Sequence, residues 1–162
     1  MAAALNEAGY VVLACDKRGH GRSGGKRGVI PSYDALMADI DLLLGQAEQR
    51  FPGKPRFLYG HSLGGNEVLN YALLRRKPAL AGVISTSPGL RTAFQPPALQ
   101  LAAGRVMNRL WPAFTLPNGL ELAAISRGPA VVAAYQADPL VHDRLSARLG
   151  VSLLVSGEWA IA

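Results

Sequence analysis

The run Gly60-His61-Ser62-Leu63-Gly64-Gly65 sets a serine in the pattern glycine-x-serine-x-glycine. A serine in that pattern can act as a nucleophile when it sits on a tight turn between a strand and a helix. Such a turn lifts the hydroxyl clear at the carboxyl end of a sheet. The residues two before and two after must then be small, a demand met by Gly60 and Gly64. The backbone N–H of Leu63, opening the helix, is placed to donate to a developing oxyanion. Gly65 adds a close approach of helix to strand. An ordinary serine N-cap is the bland reading of the same residues; a strand before and a helix after favour the nucleophile. His61 is read as a packing or hydrogen-bonding residue, because neighbours on such a turn point apart.

Two other glycine-rich patterns carry no chemistry. Gly19-His20-Gly21-Arg22-Ser23-Gly24 matches the dinucleotide fingerprint, but Gly25 to Gly28 and Pro31 follow it, so no helix N-terminus is offered to a pyrophosphate. Gly25-Lys26 lacks the earlier glycine of a phosphate loop, and Arg27 stands where that loop needs Ser or Thr. No cofactor and no metal site are expected.

The elements that must position Ser62 are legible in the patterning. Met1 to Ala8 reads as the end of a helix closed by Gly9. Tyr10 to Cys15 reads as a buried strand, with Cys15 a small core residue. Asp16 to Pro31 is a glycine-rich, charged loop. Ser32 to Phe51 carries Leu36, Ile40, Leu43, Leu44 and Ala47 at helical spacing, with Ser32 as N-cap. Arg56 to Tyr59 is a short strand, Leu63 to about Arg76 a helix, and Leu80 to Thr86 a third apolar, β-branched run. Helices alternating with strands predict a parallel sheet with helices packed on it, an α/β fold. After Ser87 prolines punctuate short helical pieces and no further strand pattern appears. Residues 1–87 thus read as the core and 88–162 as a helical cap, whose last helix, about Asp143 to Ile161, buries Leu145, Leu149, Leu153, Leu154 and Trp159.

The composition, 49% hydrophobic and 17% charged over 162 residues, is that of a globular protein. The net charge of +6 gathers at Lys17, Arg18, Arg22, Lys26 and Arg27. No aromatic residue is interleaved there to stack on bases, so a solvated loop is preferred to a nucleic-acid site. One cysteine and no basic leader before Asn6 lead to the expectation of a reducing, cytoplasmic setting.

Asp16-Lys17-Arg18-Gly19-His20-Gly21-Arg22-Ser23, the Gly60 to Gly65 run and Asp138-Pro139-Leu140 together resemble the monoacylglycerol lipase and lysophospholipase branch of the α/β-hydrolases, the serine-aminopeptidase-like hydrolases. The resemblance covers the whole chain. It implies hydrolysis of a small-molecule acyl ester, with Ser62 as nucleophile and the Leu63 amide in the oxyanion hole. Peripheral contact with a lipid surface fits it, as does a peptide or thioester substrate; Leu110, Trp111 and Phe114 suggest greasy substrates or simple cap packing. The resemblance also implies a histidine-glycine segment before Met1 and a catalytic Asp and His after Ala162. Gly128 stands where relatives usually have an acidic residue. Asp138 and His142, four apart, could share a helix face but belong to the cap, and His20 resembles a structural loop residue. The expectation is a fragment truncated at both ends, with little activity alone. In that family a strand preceding Met1 would lie between those of Tyr10 to Cys15 and Arg56 to Tyr59, so the isolated chain is expected to be weakly stable, aggregation-prone or rearranged. A sharp unfolding transition of a monomer would refute this.

Overall fold

The computed structural model describes residues 1–75, 80–92 and 96–162. Helix α1 is Ala2–Glu7, and Gly9 follows it at φ 85°. Helix α2, Tyr33–Arg50, is capped as its sequence predicts: the Ser32 hydroxyl accepts from the Ala35 N–H at 3.1 Å. Strand β1 is Phe57–His61, helix α3 Leu63–Arg75 and strand β2 Gly82–Thr86. Arg76, the expected end of α3, lies outside the described residues.

β1 and β2 pair in parallel, with Tyr59 beside Ile84 and His61 beside Thr86. Parallel strands need a crossover between them, and α3 is that crossover. Along β1 alternate residues face opposite ways, so Leu58 and Gly60 are buried while Phe57 and Tyr59 are exposed. Ile84 shares the bare face with Tyr59. The core lies between the helices and the covered side of the sheet: Leu36, Met37 and Ile40 from α2, Leu58 from β1, Val68 and Tyr71 from α3.

After β2 come α4, Ala98–Leu110, strand β3, Thr115–Pro117, a 3-10 turn at Leu122–Ala124, and α5, Pro129–Ala137. Strand β4, Arg144–Ser146, leads straight into α6, Ala147–Ile161. Leu149 of α6 joins the same core cluster, and α6 packs on α3 and α4.

Three expectations are corrected. Tyr10 to Cys15 has no regular secondary structure and pairs with no strand among the described residues, and Tyr10, Val11, Val12 and Cys15 are exposed. An apolar, β-prone run becomes a strand only when a neighbouring strand takes its N–H and C=O groups. The region after Ser87 does contain strands, the antiparallel pair β3 and β4, whose three residues each are too few to show a period. The last helix opens at Ala147, not Asp143, because Ser146 caps it through a bond from the Leu149 N–H at 3.2 Å. Leu145 therefore lies in β4, and Trp159 is 47% exposed.

Two glycines in helices should respond in opposite directions to alanine. A Cβ on Gly157 would stand 2.1 Å from the Leu90 carbonyl oxygen, so Gly157→Ala should cost about 2 kcal/mol. Gly45, inside α2, has nothing within 4 Å of such a Cβ, so Gly45→Ala should gain up to about 1 kcal/mol. Urea unfolding midpoints read both.

Candidate active site

The turn joining β1 to α3 is sterically forced. A Cβ at Gly60 would lie 2.1 Å from the Gly64 carbonyl oxygen and 2.8 Å from the Gly65 nitrogen. At Gly65 it would meet the Ser85 hydroxyl at 2.9 Å and the Pro88 Cα at 3.0 Å. At Gly64 it would meet only the Lys17 ammonium, at 3.6 Å, an ordinary contact. The close approaches therefore fall on Gly60 and Gly65. Between them Ser62 adopts φ 54°, a left-handed conformation that non-glycine residues rarely take.

Backbone hydrogen bonds hold that conformation. The Ser62 N–H donates to the Thr86 carbonyl at 3.1 Å, and the Ser62 carbonyl accepts from the Asn66 and Gly89 N–H groups, each at 3.0 Å. The side chain of Ser62 is exposed beyond the ends of both strands. Leu63 opens α3, so intrahelical bonding leaves its N–H unused. Ser62 Oγ and the Leu63 N–H thus stand at the positive end of a helix dipole, where a nucleophile and an oxyanion donor can work on one carbonyl group.

No histidine is engaged with Ser62, and no described side chain hydrogen-bonds its hydroxyl. His61 Nδ1 lies 3.0 Å from the Thr86 hydroxyl. His142 accepts the Arg144 N–H on Nδ1 at 3.0 Å, which makes Nε2 the donor to the Gly19 carbonyl at 2.8 Å. His20 donates from Nδ1 to the Arg18 carbonyl at 3.1 Å, and its ring lies 4.6 Å from that of His142. Asp138 is not on a shared helix face with His142: α5 ends at Ala137, and the Asp138 carboxylate instead accepts from the Leu140 N–H at 2.8 Å. Among the described residues no three His, Cys, Asp or Glu side chains gather to hold a metal ion.

The glycine-rich loop is tied down rather than simply solvated. Lys17 pairs with Glu67 of α3 at 2.5 Å, and Arg18 forks onto Asp39 of α2, with Nε 2.6 Å from Oδ2. Glu67 is buried, which pushes its carboxyl up, and Lys17 opposes that shift. The Asp39 hydrogen bond raises Arg18 further. Lys26 donates to the Ala113 carbonyl at 3.1 Å and the Ser146 N–H to Gly28 at 3.0 Å, joining the loop to the region of β3 and β4.

Sequence reasoning missed the buried polar groups behind the turn: Asn66, Glu67 and Asn70 on α3, and Ser156 on α6. Asn66 Oδ1 accepts from the Tyr33 hydroxyl at 2.7 Å and from Ser156 at 3.0 Å, while Nδ2 donates to the Gly89 carbonyl at 3.0 Å. Burial pushes Tyr33 up to about 12, so it remains a donor. The available signal was the pair Asn66 and Asn70, four apart on α3.

Comparison with known proteins places this geometry among hydrolases. A family model described as serine aminopeptidase, S33, matches residues 1–162. The chain is 36% identical over 152 residues to the monoacylglycerol lipase of Mycolicibacterium smegmatis, covering 93% of this chain and 54% of that one. An uncharacterized abhydrolase domain-containing protein of Dictyostelium discoideum is 37% identical over 155 residues, 96% of this chain and 16% of that protein. The crystal structure of Paleococcus ferrophilus monoacylglycerol lipase superposes with a TM-score of 0.87 at 40% identity, covering 98% of this chain and 59% of that one. The chain thus spans little more than half the length of these two lipases.

His20 sets a pH dependence of stability. Burial, then the proximity of His142, Lys17 and Arg27, lower its pKa below the usual 6.5, against the bond to Arg18 that raises it. The unfolded chain takes up this proton near 6.5 and the folded chain resists it, so the stability from neutral His20 is full above that pH and is lost as pH falls from there through the lower folded value. Thermal melts from pH 7.5 to 5 should show a shallower decline for His20→Gln than for the unaltered chain.

Proposed function

Because the chain belongs to the serine aminopeptidase, S33, family of α/β-hydrolases, we propose that it carries the nucleophile of a serine ester hydrolase acting on monoacylglycerols, lysophospholipids or similar acyl esters. The supporting observation is the exposed Ser62 at φ 54° between β1 and α3. Ser62 Oγ attacks the ester carbonyl carbon, and the oxyanion is met by the Leu63 N–H. Collapse breaks the bond to the head-group oxygen, which leaves with the proton given up by the Ser62 hydroxyl, and water then releases the acid from the acyl-enzyme and returns a proton to Ser62. The described histidines are all bonded elsewhere. Lack of a base typically slows such chemistry on the order of 10⁴- to 10⁶-fold, so slow turnover is expected from these 162 residues alone.

The exposed apolar side of α4 supports peripheral contact with a lipid surface. Leu99 is 82% and Leu110 75% exposed, Val106 lies between them, and Trp111 follows with its ring 5.3 Å from Phe114. Arg105 and Arg109 flank this stripe and suit anionic headgroups. A second reading, a non-catalytic fragment that binds acyl ligands or complements a partner, is favoured by the absence of any described side chain bonded to the Ser62 hydroxyl.

A fluorophosphonate probe separates the two. Mass-mapped labelling at Ser62 on prolonged exposure to excess probe, slow for want of a base and absent in Ser62→Ala, is expected, together with slow hydrolysis of monoacylglycerol in preference to a thioester or dipeptide. Equal labelling of both proteins would remove Ser62 from the mechanism, and labelling of neither would favour the binding fragment.

A further inference from the structure

Two non-glycine residues among those described have positive φ: Ser62, at 54°, and Ser87, at 44°. They follow the ends of adjoining parallel strands, so the segment from Thr86 to Gly89 wraps the Ser62 turn. One end takes the Ser62 N–H on the Thr86 carbonyl, and the other returns the Gly89 N–H to the Ser62 carbonyl. A left-handed conformation at a residue with a side chain persists only when its surroundings over-determine it.

The geometry points to Asn66 as the positioning residue for Ser62, a role that rests on Ser62 being the nucleophile. Asn66 is fully buried. Its backbone N–H holds the Ser62 carbonyl at 3.0 Å, and its side-chain Nδ2 holds the Gly89 carbonyl at 3.0 Å, so one residue grips the turn and the segment that wraps it. The same side chain accepts from Tyr33 of α2 and Ser156 of α6, which fixes its rotamer from two sides. Only an amide supplies a donor and a two-fold acceptor at this point; a carboxylate lacks the donor and a hydroxyl lacks the reach. Removing the donor frees the Gly89 peptide, and with it the second bond to the Ser62 carbonyl.

The test compares Asn66→Asp and Asn66→Ser, which remove the donor to Gly89, with Tyr33→Phe and Ser156→Ala, which remove donors to Asn66 Oδ1 and leave Nδ2 in place; Ser156→Ala also removes a bond to the Leu153 carbonyl. Fluorophosphonate labelling of Ser62, normalised to folded protein, and amide hydrogen exchange at Gly89 are measured for each. The Asn66 variants should label about 10-fold more slowly and exchange Gly89 about 10-fold faster, the scale of one lost hydrogen bond. Tyr33→Phe and Ser156→Ala should change either quantity less than about 3-fold, even where they melt earlier. If the Asn66 variants match these controls at equal folded fraction, the role is structural and the proposal falls. Should Asn66→Asp fail to fold, Asn66→Ser, with its small side chain, carries the comparison. If the unaltered chain does not label even on prolonged exposure to excess probe, the nucleophile reading fails on its own, and unchanged Gly89 exchange in the Asn66 variants would separately overturn the brace.

Discussion

The left-handed backbone of Ser62 is held by hydrogen bonds from three directions: the end of β2, the segment after it and the first turn of α3. A serine does not adopt φ 54° of its own accord, so the bonds and the glycines around it must act together. Gly60 lets the first turn of α3 fold back over β1, and Gly65 lets that turn approach Ser85 and Pro88. Once α3 is so close, its N-terminus lies beside Ser62 and its apolar side falls on α2 and α6, which closes the core. The exposed serine, the free Leu63 N–H and the core packing are thus consequences of one turn.

The charged loop that precedes α2 has a similar logic. Asp16 to Pro31 contains no helix or strand, yet Lys17 and Arg18 are fixed on carboxylates of α3 and α2, and Gly19 and Gly28 accept bonds from His142 and Ser146. Two of the five clustered cations are therefore held in internal ion pairs. The surface left for a polyanion is weaker than the net charge of +6 suggests.

Much of this was legible beforehand. The turn around Ser62, the cap at Ser32 and the order of α2, β1, α3 and β2 follow from glycine spacing and apolar periodicity, which are local properties. Tyr10 to Cys15 was misread because pairing is not local: its apolar residues suit a strand, but its backbone finds none beside it. β3 and β4 escaped because three residues show no period, and Trp159 because helical spacing does not say how far a neighbour extends over the helix. Of the polar cluster around Asn66 only the Asn66 and Asn70 pair shows in the sequence, since its partners lie on α2, on α6 and at Gly89.

The docking of α6 also bears on the order in which the chain acquires its shape. Ser156 reaches back 90 positions to Asn66, and Gly157 lets α6 lie directly on the Leu90 backbone. The sequence around Ser62 emerges from a ribosome long before these residues do. Helix α3 and the two parallel strands are available early, but the buried acceptor of Asn66 gains its second donor only when α6 arrives. The Asn66 to Ser156 contact is thus a long-range closure, of the kind whose loop entropy slows folding.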